Sequence, residues 1–189
     1  MTCGCEHLTK RYGAQTVLRD LTLNFRPGGA YCLMAPSGGG KTTLFRLFAG
    51  LETPDGGRLL GFPDCRMSMV FQEDRLFEHL SPVTNAALVQ QKPDRGQIIR
   101  ALEEILPRDC LTQPVRELSG GMKRRAAIAR AVLCPSEVLL LDEPFTGLDE
   151  ETRLRTIRFV RQRRGDRLLL LTTHRPEEAE LLGAEIIRL

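Results

Sequence analysis

Two stretches of this chain combine residue types that handle phosphate. The first is Ala35-Pro-Ser-Gly-Gly-Gly-Lys-Thr42, followed by Thr43. After Ser37, the glycines Gly38, Gly39 and Gly40 let backbone N–H groups turn inward around anionic oxygens, and a helix starting at Lys41 adds its own N-terminal donors. Lys41 has the reach for the β- and γ-phosphates of a nucleotide, and the Thr42 hydroxyl suits a Mg²⁺ position. The usual pattern opens with glycine, and Ala35 departs from it. Because Ala35 precedes Pro36 it is biased to extended backbone, where a methyl is tolerated. The second stretch is Val138-Leu-Leu-Leu-Asp-Glu143, apolar and ending in two carboxylates. Asp142 is suited to organising Mg²⁺ and its waters, and Glu143 to polarising a water for in-line attack on a γ-phosphate. Taken singly, the first stretch is a glycine-rich turn with a lysine, and the second a strand ending in solvated acids. In strand–loop–helix order they point together to phosphoryl transfer.

A third stretch, Leu118-Ser-Gly-Gly-Met122, puts a hydroxyl and two glycine N–H groups at the start of a helix, which makes a second anion site. With the motifs in this order, nearly the whole chain resembles the ATP-binding cassette (ABC) ATPases, whose signature reads LSGGQ. The resemblance implies that Tyr12 stacks on adenine and that Ser37 to Thr43 hold the phosphates of ATP. It gives Gln72 a contact to Mg²⁺ and water. Ser119, Gly120 and Gly121 bind the γ-phosphate of ATP held by a partner cassette. Asp142 and Glu143 match the Walker B pair, Gly147-Leu-Asp149 the D-loop, and His174 the switch histidine. Two ATPs are then sandwiched in a head-to-tail dimer, expected to be a homodimer, so an isolated monomer should hydrolyse ATP poorly. Met122 replaces the signature glutamine, and Arg175 stands where an aspartate is common.

The elements that must position these residues are legible in outline. Val17–Phe25 alternates apolar and polar, the period of a half-buried strand, and Ala30–Ala35 reads as a buried one. Lys41–Ala49 reads as a helix stopped by Gly50. Arg58–Gly61 and Met67–Phe71 read as strands. From about Ser81 to Pro107 the pattern turns helical and more polar, with Asp94 as an N-cap. Gly120–Leu133 is helical. Glu137–Asp142 and Arg167–Thr172 are continuous apolar runs, as expected of central parallel strands covered on both faces. Glu150–Arg164 and Glu177–Leu182 read as helices and Ala184–Leu189 as a last strand. The expected fold is an α/β P-loop NTPase with a RecA-like core, an antiparallel β subdomain and an inserted α-helical subdomain. One domain is expected to span 1–189, with the helical insertion at about 75–133.

Composition narrows the function further. The 189 residues are 42% hydrophobic and 27% charged, with a net charge of +3 and no tryptophan. No apolar run approaches the roughly 20 residues of a spanning helix, and the first residues lack the apolar stretch of a secretory leader. Six cysteines, at 3, 5, 32, 65, 110 and 134, lack the paired spacing of a zinc site and are expected as reduced thiols. Cys3 and Cys5 would share one face of a strand. Seven arginines between Arg153 and Arg167 read as a solvated helix face rather than as a nucleic-acid surface, and no nucleic acid is expected as a partner. The resemblance extends, through Phe71–Leu76 and Leu118–Arg125, to the nitrate/sulfonate/taurine branch of bacterial importers. It implies a minimal motor peripheral on the cytoplasmic face of the cell membrane. That motor would drive import of a small solute through transmembrane permease subunits that seat a coupling helix beside Gln72–Leu80, with a solute-binding protein taking part indirectly. The alternatives are a soluble cassette ATPase acting on the ribosome or nucleic acid, and a non-hydrolytic nucleotide-gated module.

Overall fold

In the computed structural model of the chain, which describes residues 2–36 and 38–189, the two leucine-rich runs are neighbouring parallel strands. These are β6 (Val138–Asp142) and β7 (Leu168–Thr172), and every residue of both is buried. Their five-stranded sheet also holds β3 (Ala30–Met34), β5 (Met67–Val70) and β8 (Glu185–Arg188) in the order β5-β6-β7-β3-β8. The β3–β7 and β3–β8 pairings are parallel too. Unbroken apolar sequence is what a parallel strand needs when both of its faces are covered.

A second sheet has three strands in the order β2-β1-β4, with both pairings antiparallel. They are β1 (Cys3–Tyr12), β2 (Gln15–Phe25) and β4 (Gly56–Leu60). Strand β1 escapes a period-of-two reading because its buried side chains fall at Cys3, Cys5 and then Leu8. His7 lies between them in a left-handed conformation (φ 51°), and the register with β2 shifts across it. Such a bulge adds a residue to one strand and flips the later side chains to the other face.

The chain divides into two compact units. The first comprises residues 1–69, 136–142 and 166–189, and so contains both β1–β4 and most of the five-stranded sheet. Its core gathers Phe25, Phe45, Phe48 and Phe62 with Leu33, Leu140 and Leu170. The rings of Phe48 and Phe62 stack at 4.2 Å between centroids. Helix α1 (Lys41–Phe48) packs on β6, and a later helix (Pro176–Leu182) contacts β3 and β8.

The second unit, residues 70–135 and 143–165, is helical. The polar stretch after Ser81 divides into α2 (Pro82–Ala87) and α3 (Arg95–Glu103), separated by the Gln91-Lys92-Pro93 break. Ser81 caps α2 by accepting from Thr84 N–H, and Asp94 caps α3 by accepting from Gln97 N–H. Helix α4 (Gly120–Leu133) packs against α2, α3 and α5 (Glu150–Arg163); the helix over Pro176–Leu182 is α6.

All six cysteines are reduced thiols, four of them buried. The neighbour of Cys3 is Cys65, with sulfurs 3.8 Å apart. Burial pushes the Cys5 and Cys32 thiols up from 9.0 to about 11. Burial, with the Cys65 hydrogen bond, pushes Cys3 up to about 12. A group whose proton is held more tightly in the folded chain favours folding below its unfolded pKa, and that stability is lost as pH rises through the folded value. Thermal unfolding should therefore show Tm falling as pH climbs from 9.0 towards 11, and Cys5→Ala with Cys32→Ala should flatten that fall.

Candidate functional site

Helix α1 begins from Gly40, which sits in the left-handed region at φ 81°. A side chain there would be strained, and its Cβ would lie 2.7 Å from Leu18. The turn before it closes through Gly39 N–H donating to Pro36 C=O at 2.9 Å. A Cβ on Gly39 would stand 2.7 Å from the Ala35 methyl. The alanine at the head of the loop is thus accommodated, and it makes glycine obligatory four residues later. Ser37 lies outside the described residues.

Lys41 is buried at 7% exposure, and its ammonium donates to Ala35 C=O at 2.9 Å and Pro36 C=O at 3.3 Å. The cation therefore spans the mouth of its own loop, where a phosphate oxygen can replace the carbonyls as acceptor. One residue on, Thr42 Oγ1 donates to Asp142 Oδ2 at 2.7 Å. Thr172, at the end of β7, donates to the other oxygen, Oδ1, at 2.6 Å. Asp142 is 1% exposed, so these hydroxyls sustain a carboxylate almost wholly removed from water. A hydroxyl and a carboxylate side by side are the hard oxygen donors that a divalent cation such as Mg²⁺ takes. That ion normally completes its shell with water and phosphate rather than with a full protein cage. No cluster of three or more His, Cys, Asp or Glu that could hold a metal occurs among the described residues.

His174 follows β7 and shares a cleft of about 320 Å³ with Ala35, Pro36 and Thr173. The turn that carries it is held by Thr173 Oγ1, which accepts from Arg175 N–H at 3.1 Å and donates to Glu178 at 2.5 Å. Tyr12 is 45% exposed at the end of β1, and its hydroxyl donates to Glu52. Burial and the Glu52 bond raise its phenol pKa. The Lys10 ammonium lies 5.3 Å from the Tyr12 ring centroid. An anchored ring with an open face is equipped for stacking.

In the helical unit, Gln72, Glu143 and Gly120 line one cleft of about 250 Å³, together with Asp74, Arg124 and Thr146. Glu143 is left-handed at φ 46°, a conformation that a non-glycine residue adopts rarely and that collects at working sites. Ser119 caps α4 by accepting from Met122 N–H at 3.3 Å, so the Met122 substitution leaves the backbone donors in position. A Cβ on Gly120 would meet no described atom within 4 Å, and one on Gly121 would touch Leu148 at 3.6 Å. Packing within this chain therefore does not demand glycine at Gly120. Asp149 caps α5 by accepting from Thr152 N–H at 2.9 Å, and that hydrogen bond lowers its carboxyl pKa.

Three arginines of α5 are engaged within the unit, and Arg153 is buried rather than solvated. Arg153 pairs with Glu150 at 2.5 Å, Arg155 donates to Glu103 C=O at 3.2 Å, and Arg163 pairs with Glu104. Thr172 and Arg124 were not marked by the sequence as site residues. The only signal for Arg124 was the Lys123-Arg124-Arg125 run within a helix whose other residues are mostly small and apolar.

The sequence profile of the ABC transporter family matches residues 18–146. The chain is 41% identical to an aliphatic sulfonates import ATP-binding protein of Granulibacter bethesdensis, over 94% of this chain and 75% of that one. It is 38% identical to a sulfate/thiosulfate import ATP-binding protein of Ralstonia nicotianae, over 95% of this chain and 54% of that one. It is 39% identical to an Fe(3+) ions import ATP-binding protein of Agrobacterium fabrum, over 96% and 56%. The chain thus spans little more than half the length of the last two. Among solved structures, a dimeric ATP-binding cassette in a post-hydrolysis state with ADP and Pi superposes over the whole chain and 94% of its own. The TM-score is 0.86 at 24% identity. A bacterial ABC exporter with ATP bound gives a TM-score of 0.88 at 22% identity, over the whole of this chain and 37% of its own. These structures share the fold.

Thr172→Val keeps the shape and removes the hydroxyl from a buried carboxylate. It should lower stability by about 1.5–3 kcal/mol, the worth of a hydrogen bond to a charged group, as read by urea unfolding.

Proposed function

The chain belongs to the ABC transporter family, and on that premise we propose that it is the ATP-binding and hydrolysing subunit of an importer for a small solute. The observation that carries this reading is the Thr42–Asp142 contact of 2.7 Å beneath the glycine loop, a hydroxyl and a buried carboxylate poised together at the start of α1. Tyr12 takes the adenine, and Ser37 to Thr43 take the phosphates. Lys41 releases the Ala35 and Pro36 carbonyls to meet the β- and γ-oxygens. Mg²⁺, held by Thr42 and Asp142 with Gln72 as the further contact, would supply charge neutralisation at those oxygens. Glu143 accepts the proton of the attacking water, and His174 donates to the transferring phosphoryl group. Ser119, Gly120 and Gly121 bind the γ-phosphate of a second cassette's ATP, and Asp149 lies at the same dimer face. The open space around Gly120 supports that role, because the approaching phosphate rather than the chain's own packing then explains the glycine.

Import ATP-binding proteins named for sulfate/thiosulfate, aliphatic sulfonates and Fe(3+) are similar to this chain over almost its full length. We assign the cargo to a small inorganic or sulfonate-like ion, and the partners to transmembrane permease subunits with a second cassette. No described helix is long and apolar enough to cross a membrane, which suits a peripheral subunit on the inner face. Phe77 and Leu88, 53% and 56% exposed, offer apolar contact for a coupling helix. Buried Asn85 fixes the Phe77 loop by accepting from Phe77 N–H at 2.9 Å and donating to the Phe77, Leu80 and Ser81 carbonyls. Recovery with ribosomes or nucleic acid instead of multi-span proteins would replace this reading by that of a cassette acting on those partners.

Glu143→Gln should abolish turnover and keep ATP affinity, whereas Lys41→Ala should weaken ATP binding by at most about 3 kcal/mol, measured by nucleotide titration and phosphate release. Undiminished turnover in the first, or unchanged affinity in the second, contradicts the assignment. Ser119→Arg should block turnover in the assembled complex while each monomer still binds ATP, and normal turnover there would exclude the trans site.

A further inference from the structure

Among the described residues of the helical unit, two non-glycine residues are left-handed: Arg75 at φ 44° and Glu143 at φ 46°. The carbonyl of each accepts from an arginine of α4. Arg130 Nη1 donates to Arg75 C=O at 2.8 Å, and Arg124 Nη2 donates to Glu143 C=O at 2.7 Å. Arg124 does more than this. Its Nε donates to Pro144 C=O at 2.9 Å, and its Nη1 donates to Phe71 C=O at 2.6 Å and Gln72 C=O at 3.2 Å. The same nitrogen lies 3.3 Å from Asp74 Oδ1, and the residue is 6% exposed. One buried, planar guanidinium thus holds the backbone on both sides of the cleft that Gln72 and Glu143 line.

We infer that Arg124 is a positioning residue that sets the direction of the Glu143 carboxylate and ties it to the backbone at Gln72. A left-handed non-glycine residue persists only where its surroundings over-determine it. Here the donors to Glu143 C=O and Pro144 C=O come from one rigid fork and fix the orientation of two successive peptide planes. The carboxylate of Glu143 departs from the Cα that opens the first of these planes, so its aim follows that plane. The same fork carries the Phe71 and Gln72 carbonyls, so a shift of the Gln72 loop is passed to Glu143 through a single side chain. Lysine cannot substitute, because a point ammonium on a flexible stem cannot span acceptors arranged around a plane.

This rests on Glu143 acting as the base, and the experiment separates the two claims. Arg124→Lys, Glu143→Gln and the unaltered chain are each assembled with the membrane proteins that copurify with the unaltered chain, and steady-state ATP hydrolysis is measured. Arg124→Lys should lower kcat about a hundredfold and leave KM for ATP within about threefold, because misaiming a reacting group costs turnover and not binding. Wild-type kcat in Arg124→Lys, or equal losses in kcat and in ATP affinity, overturns the inference. If Arg124→Lys fails to assemble, Asp74→Asn takes its place. It loosens the guanidinium from one side, and should lower kcat about tenfold with KM kept; wild-type kcat there overturns the inference equally. Continued turnover in Glu143→Gln would remove the base assignment itself, whatever Arg124→Lys does.

Discussion

A carboxylate buried at the end of a parallel strand is the constraint around which the first unit is arranged. Removing such a charge from water is costly unless hydrogen bonds replace the lost hydration. Asp142 receives them from Thr42 and Thr172, one hydroxyl on each oxygen. The requirement ties three distant parts of the chain to one point: the first turn of α1, the end of β6 and the end of β7. The phosphate loop is thereby anchored at its helix end. The rest of its shape follows from glycines whose side-chain space is taken by Ala35 and Leu18.

The helical unit solves a different problem. Its working residues stand on loops, and loops need outside help to hold an unusual backbone. Helix α4 supplies that help from its buried side. Its small residues, Ala126, Ala127, Ala129 and Ala131, let neighbours approach, while Arg124 and Arg130 reach out to carbonyls of the loops. The same helix offers its N-terminal donors at Gly120 and Gly121, so one rigid element serves both the proposed anion site and the loops behind it.

Much of this was legible in sequence because spacing and residue type coincide with the physics. The leucine runs could only be covered strands. The glycine loop between strand and helix could only turn tightly, and Asp94 did cap a helix. Three features resisted. The bulge at His7 breaks the alternation of β1, so its first half carries no strand pattern. The helical stretch after Ser81 stops at Ala87 and resumes at Arg95, with Pro93 in the gap, a break that a continuous helical pattern does not show. Arg124 carries no site signal of its own, because a sequence shows that a residue is charged and not which carbonyls surround it. The site itself was read mainly from residue order, and its hydroxyl on the second oxygen of Asp142 came from a threonine that any β-strand could carry.

One consequence of the Tyr12 setting is optical. The chain has no tryptophan and two tyrosines. Tyr31 is sealed at 6% exposure, with its hydroxyl accepting from Arg26 N–H and its ring 5.1 Å from Phe25. Tyr12 is the open one. The intrinsic ultraviolet emission of this protein is therefore divided between one phenol in the core and one at the surface. With Tyr12 on adenine as proposed, the stacked base would quench the second and leave the first as an internal reference, so the unlabelled chain would carry its own reporter of nucleotide occupancy.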